Sequence, residues 1–262
     1  EGWPAAGRGG VSIKRYADEP GFVLHRYDWS ESSLILDVFT RHFGRVALVA
    51  KGAKRPTSQL RPVLLPLQPL LLAWAGDAEV RTLKAAHWRG GHVMPVGESL
   101  LSGTYFNEML LKLLARDDPH PVLFDGYALA VQQLAHRKVP DAAVLRAFEL
   151  LLLREVGYLP SLSEDGSSLA PLEPDAWYVL ETEGGLALAP SPQRGALQGS
   201  HWLAIQSAMT QTAPFTSLVQ ACRPCMSALQ PVLRHLLHYH SGVRSFKTRQ
   251  MMLDVQALVR KR

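Results

Sequence analysis

A small β-barrel followed by a helical region, an α+β chain, is the fold class that this sequence predicts. Three observations carry it. Between Gly21 and Ala86 lie five short runs rich in β-branched and aromatic residues, separated by turn residues. After Gly97 the apolar residues recur at the 3.6-residue spacing of helices. Farther on, Gly184-Gly185 joins two short strand-like runs, a small hairpin inserted among the helices. The composition permits both parts: of 262 residues 47% are hydrophobic and 19% charged, which suits a packed core and excludes wholesale disorder.

Residues 1–18 read as a disordered tail, because Gly2, Gly7, Gly9 and Gly10 crowd around Pro4 and no apolar period appears. Residues 19–92 form the barrel domain. Its strands are Phe22–Tyr27, Ser33–Thr40, Arg45–Ala50, Leu67–Trp74 and Glu79–Ala86. Gly44 is free to take positive φ in the short connection before the third strand, and Gly76-Asp77 turns the chain between the last two. Five strands in a partly open barrel describe an OB-fold. An SH3-like barrel has nearly the same strand count, and the pattern alone does not choose between them.

Residues 93–262 form the helical domain. Helices are expected over Glu98–Ala115, Pro119–Ala135 and Ala142–Val156, the third with Asp141 as its N-cap and Gly157 as its stop. The run Leu150–Leu153 points to a helix buried on most sides. Ser161–Pro174 is a loop by composition, and Trp177–Leu180 with Leu186–Ala189 forms the hairpin, an insertion spanning about 158–198. Further helices are expected over Ser200–Thr210, Ser227–His240 and Phe246–Val259.

Several function classes drop out. No apolar stretch approaches the ~18 residues of a membrane span, and the first residues do not read as a signal peptide. Two cysteines fit a cytoplasmic protein rather than a disulfide framework. There is no G-x-S-x-G elbow, Walker loop, dinucleotide fingerprint or H-E-x-x-H, so neither an enzyme nor a cofactor is expected. The pairs Asp117-Asp118 and Glu164-Asp165 stand beside Pro119 and Gly166 and read as solvated turns. Cys222 and Cys225 have metal-like spacing, with His235, His238 and His240 downstream. Two cysteines close to a helix do not make a standard finger, so no metal is expected and the pair reads as two semi-buried thiols.

The charge distribution is informative. Residues 1–90 carry 13 Lys/Arg and 8 Asp/Glu, residues 91–200 carry 7 and 14, and residues 201–262 carry 8 and 1. Two basic ends flank an acidic middle, which suits a polyanion held by the ends. Arg41, Arg45, Lys51, Lys54, Arg55 and Arg61 follow one another with no acid between, and Lys84 lies on the fifth strand. Phe39, Phe43 and Trp74 lie on or beside the same strands. Cations for phosphates and rings for bases are what single-strand binding uses, although Phe39 and Trp74 also suit a core. Arg244, Lys247 and Arg249, with the hydroxyls of Ser245 and Thr248, extend the candidate DNA-binding set at the other end.

Taken in order, several stretches resemble one family, the bacterial RecO recombination mediators. They are Gly21-Phe22-Val23-Leu24 with Ser32-Ser33-Leu34, then Phe39-Thr40-Arg41 through Gly44-Arg45 to Val49-Ala50-Lys51-Gly52-Ala53. Tyr105-Phe106-Asn107-Glu108, Leu145-Arg146-Ala147-Phe148-Glu149, Gly157-Tyr158 and Val243 to Arg249 complete the match, which covers about residues 19–258. The resemblance implies an OB-fold followed by a helical domain and a non-catalytic protein of the RecF pathway of DNA repair and recombination. It implies binding of single- and double-stranded DNA, annealing of complementary strands, cooperation with RecR, contact with the acidic tail of single-strand DNA-binding protein (SSB), and help in loading RecA at gaps. A nucleoid-associated, cytoplasmic protein follows. Many members carry four cysteines soon after the Gly-Tyr pair, whereas Leu159–Gly166 has none here, so this chain reads as one without the zinc module. For the SSB tail, Arg146 with Leu145 and Leu153 is the candidate dock, an apolar groove beside a cation. A protein–protein adaptor for an acidic partner, with incidental DNA affinity, is the alternative.

Overall fold

The computed structural model describes residues 14–243, 245–248 and 250–252. Five strands close into a barrel: β1 (Arg15–Asp28), β2 (Leu34–Thr40), β3 (Gly44–Ala50), β4 (Leu70–Ala75) and β5 (Val80–Trp88), in ring order β1-β2-β3-β5-β4. All neighbours are antiparallel except β3 and β5, which run parallel through Ala47↔Val80, Leu48↔Arg81 and Val49↔Thr82. This is an OB-like ring. β1 starts at Arg15, so the expected tail of residues 1–18 is wrong at its end; residues 1–13 lie outside the described residues. Asp18 at φ 53 and a register shift between Tyr16 and Glu19 break the alternation that would have revealed the strand. Tyr16 stacks on Trp74 with ring centroids 5.2 Å apart.

Side chains alternate across each strand. Val23, Leu36, Val38, Val46, Leu48, Leu72 and Trp74 fill the barrel. Their neighbours Phe22, Leu24 and Phe39 point outward and are buried in the helical core. Phe22 lies 5.5 Å from Phe124 and 4.9 Å from Tyr127, and Phe39 lies 5.3 Å from Phe124, centroid to centroid.

The helical region begins with α1 (Glu98–Leu113), α2 (Pro121–His136) and α3 (Asp141–Glu155). Helix α3 is central, packing on α1, α2, α5 (Pro214–Cys222) and α6 (Met226–Ser241), and each of Leu150, Leu151, Leu152 and Leu153 is fully buried. Asp141 is the first residue of α3 rather than its cap, and its carboxylate accepts the Ser99 hydroxyl at 2.7 Å. The hairpin pairs β6 (Trp177–Glu181) with β7 (Gly185–Ala189), and β8 (Ala196–Gln198) adds a third strand before α4 (Gly199–Met209). Sequence reasoning missed β8, only three residues long, and α5, whose Thr216 and Ser217 weaken the helical pattern. The last expected helix, Phe246–Val259, falls largely outside the described residues.

A polar seam joins barrel and helices. Asp37 faces outward from β2 yet is 1% exposed. Arg45 grips its two oxygens at 2.7 and 3.0 Å, and Arg116 adds a third bond at 3.1 Å. Arg45 also donates to the carbonyls of Leu111 and Leu114, which the end of α1 leaves without helical donors. Nearby, Asn107 donates to Leu24 O at 3.2 Å and accepts the buried Tyr127 hydroxyl at 2.6 Å. Burial pushes the Tyr127 hydroxyl far up, which keeps it a donor. Gly44 sits at φ 67, where an added Cβ would lie 2.1 Å from Asp118 O, so the crossing of the 115–120 segment requires glycine. Asp37→Ala should lower unfolding free energy by about 3 kcal/mol, since it leaves the largely buried Arg45 guanidinium without its carboxylate. Chemical denaturation checks this, and a loss under about 1 kcal/mol would show the seam to be solvated.

Candidate nucleic-acid interface

At the end of β3 the chain turns through residues 51–55. Gly52 takes φ 70, and Ala53 is fully buried in the barrel core. Anchoring Ala53 folds the turn back over the end of the barrel and leaves Lys51 and Arg55 exposed. The turn is stapled to the β1–β2 turn: Lys54 N–H donates to Ser32 O at 2.9 Å and Gly52 N–H to Ser33 Oγ at 3.4 Å. Lys54 Nζ reaches Ser30 O at 3.0 Å and Asp28 at 3.1 Å. The Asp28 carboxylate is 80% exposed, so its pair with Lys54 contributes under ~1 kcal/mol and exchanges readily for a phosphate.

Two rings stand beside these cations. Trp29 is 66% and Tyr27 45% exposed, with Tyr27 held edge-on against His25 at 4.5 Å. Arg26 is exposed one residue before Tyr27, and Glu31 is the remaining acid of the turn. Counted from the last parallel pair, Val49↔Thr82, Lys51 and Lys84 each lie two residues farther on, so exposed Lys84 belongs to the same end of the barrel. Arg61 is exposed on the same long connection, whose Leu60 and Val63 pack on the barrel core.

The other sequence-predicted residues are placed elsewhere. Phe39 is buried in the helical core and Trp74 in the barrel, so neither is a stacking surface; Phe43 is half-buried, 5.5 Å from Trp74. Arg41 sits at the opposite end of β3 from Lys51, roughly 20 Å away at strand rise, and forms a bidentate pair with Asp125 of α2 at 2.9 Å. Arg45 is committed to the Asp37 seam. Both residues are thus placed at the junction of barrel and helices, with partners drawn from the chain itself. Lys247 is exposed on a turn whose Lys247 and Thr248 amides donate to Glu108 of α1 at 2.8 and 2.9 Å. Arg244 and Arg249 lie outside the described residues.

The residues of the expected tail dock lie in the helical core. Arg146 is 5% exposed and pairs with Glu149 on its own helix at 2.7 Å, with Tyr105 donating to Glu149 at 3.0 Å. Leu153 is fully buried and Leu145 half-buried. Sequence reasoning missed Trp29 and Tyr27. The available signal was an aromatic residue in a polar turn, Asp28-Trp29-Ser30-Glu31-Ser32, where no core awaits it.

Cys222 ends α5 and Cys225 directly precedes α6. Among the described residues no group of three His, Cys, Asp or Glu is placed to hold a metal. Burial pushes the Cys225 thiol up to about 11 and the Cys222 thiol higher still. A thiol with such a value is almost wholly protonated at neutral pH, so the folded protein should react with an aromatic disulfide at pH 8 roughly a hundredfold more slowly than the unfolded chain. Stoichiometric labelling of native protein within seconds would contradict that burial.

Two family models match the chain, Recombination protein O N terminal over residues 15–91 and Recombination protein O C terminal over residues 95–250. Among similar proteins, a DNA repair protein RecO from Polaromonas sp. (strain JS666 / ATCC BAA-500) is 59% identical over 249 residues, covering 95% of this chain and 100% of the relative. Those of Variovorax paradoxus (strain S110) and Delftia acidovorans (strain DSM 14801 / SPH-1) are 59% and 55% identical over 257 and 256 residues, with the same coverage of both chains. The two models meet near residue 93, where barrel gives way to helices, and together they span most of the sequence. On that evidence the chain belongs to the RecO family of DNA repair proteins.

Proposed function

We propose that this chain is a non-catalytic recombination mediator that holds DNA on the end of its barrel and anneals complementary strands. The observation that carries the reading is the stapling of the 51–55 turn to the β1–β2 turn, which brings the turn of Lys51, Lys54 and Arg55 to the end of β1 that carries the exposed rings of Tyr27 and Trp29. The cations follow a phosphate backbone and the rings stack on bases, a combination that grips single strands without reading sequence. Lys51, Arg55, Arg61 and Lys84 serve the phosphates of single- and double-stranded DNA alike.

Annealing needs no bond-making group. Two strands repel through their phosphates, a cationic surface lowers that repulsion, and base pairing supplies the driving force. The proposed partners are RecR, the acidic tail of SSB, and RecA, which is loaded once SSB is displaced at a gap. The proposed location is the nucleoid; no described helix is long and apolar enough to cross a membrane.

Two variants separate the contributions. Lys51→Ala with Arg55→Ala should lower the slope of log affinity against log salt by about 1.4, at ~0.7 per phosphate on a single strand. Trp29→Ala should weaken single-strand binding by roughly tenfold and leave that slope unchanged. Both should slow annealing of an SSB-coated oligonucleotide to its complement. An unchanged slope in the first variant removes the barrel end from the site, and affinity that is independent of strand length favours an adaptor for an acidic protein.

A further inference from the structure

The connection between β7 and β8 carries Arg194 and lies against α6, where a Cβ on Gly195 would meet Val232 at 3.0 Å. Between loop and helix is a cleft of about 240 Å³, lined by Arg194, Gln230, Pro231, Arg234, His235 and His238. Gln230, Arg234 and His238 are four residues apart, so they form one ridge along α6. Among the described residues no carboxylate lines the cleft. The Glu183 carboxylate is taken by the Tyr239 hydroxyl. Arg194 and Arg234 are exposed, and among the described residues neither has an ion pair or hydrogen-bond partner. This differs from Arg41, Arg45, Arg81, Arg116 and Arg146, all of which are paired with carboxylates.

Two unpartnered guanidiniums on one small cleft repel each other and gain from an anion between them. The volume suits a single anionic group rather than a larger organic ligand, whose sites begin near ~300 Å³. The lining favours phosphate on a polymer. A docked acidic peptide draws on apolar pockets beside its charges, and here only Pro231 is apolar. A backbone phosphate needs only donors, which the two guanidinium forks, the Gln230 amide and the His235 imidazole supply. None of the barrel-end residues lines the cleft.

We propose that this cleft is a second nucleic-acid site, taking a backbone phosphate of a strand other than the one on the barrel end. The inference rests on the DNA-binding reading above. It gives one chain two separate phosphate sites, so that it can hold both partners of an annealing reaction.

The full chain is tested with two non-complementary thymidine 30-mers, one on beads and one fluorescent. Co-capture of the fluorescent strand reads two-strand holding. Arg194→Ala with Arg234→Ala should cut co-capture at least tenfold and lower the salt slope of binding by about 0.7 to 1.4, with an unchanged thermal midpoint. Arg234→Lys, which keeps the charge and loses the fork, should restore part of the co-capture. Unchanged co-capture and slope would overturn the proposal. So would a variant that loses affinity for inorganic phosphate or a decaglutamate peptide while its DNA binding is intact. If Lys51→Ala with Arg55→Ala is silent and the cleft variant is not, the barrel-end assignment fails and the cleft stands.

Discussion

The architecture depends on one buried carboxylate. Asp37 would be costly inside the protein without compensation, and Arg45 and Arg116 supply it from two directions. Because Arg45 also satisfies the last carbonyls of α1, one side chain ends a helix, neutralises a strand residue and joins barrel to helices. The rings of Phe22 and Phe39 pack beside it on Phe124 and Tyr127. Polar and apolar halves of the seam support each other: the rings exclude water, which strengthens the ion pairs, and the ion pairs fix the register in which the rings meet.

The outer face of β1 and β2 around Phe22, Leu24 and Phe39 is covered by the chain's own helices. The free cations gather instead where β3 leaves the barrel, held in place by backbone bonds between two turns. Those bonds do not involve the cationic heads of Lys51 and Arg55, which stay free for phosphate. The α6 cleft joins Arg194, from the acidic middle segment, to Arg234, from the basic C-terminal one. Separated basic surfaces suit the proposed annealing role, in which two polyanions come together without sharing one site.

The insertion is held by hydrogen bonds. Both the amides and the hydroxyls of Ser167 and Ser168 donate to one oxygen of Asp165, holding that carboxyl well below its usual range. The Gly166 amide donates to Leu186 O at 2.7 Å, and an added Cβ on Gly166 would lie 1.6 Å from Gly184 O. Loop and hairpin are thus joined by backbone contact at the place where the family resemblance implies that many relatives carry cysteines.

The sequence by itself determined the elements and their order. Strand alternation, helical periodicity and turn glycines are local signals, so the five barrel strands, the three long helices and the hairpin were legible from residue spacing. The charge map was legible too, and so was Gly44, whose conformation follows from its place between two strands. What only the tertiary structure decided is which charges remain free. Arg41 and Arg55 look alike in sequence, but Asp125, 84 residues away, claims the first and no described residue claims the second. Phe39 and Trp29 are both aromatic residues near strand ends; one meets α2 and the other meets solvent. Arg194 and Arg234 become a pair only because a loop folds onto α6. Burial and pairing are set by contacts between distant segments, and no window along the chain contains both partners.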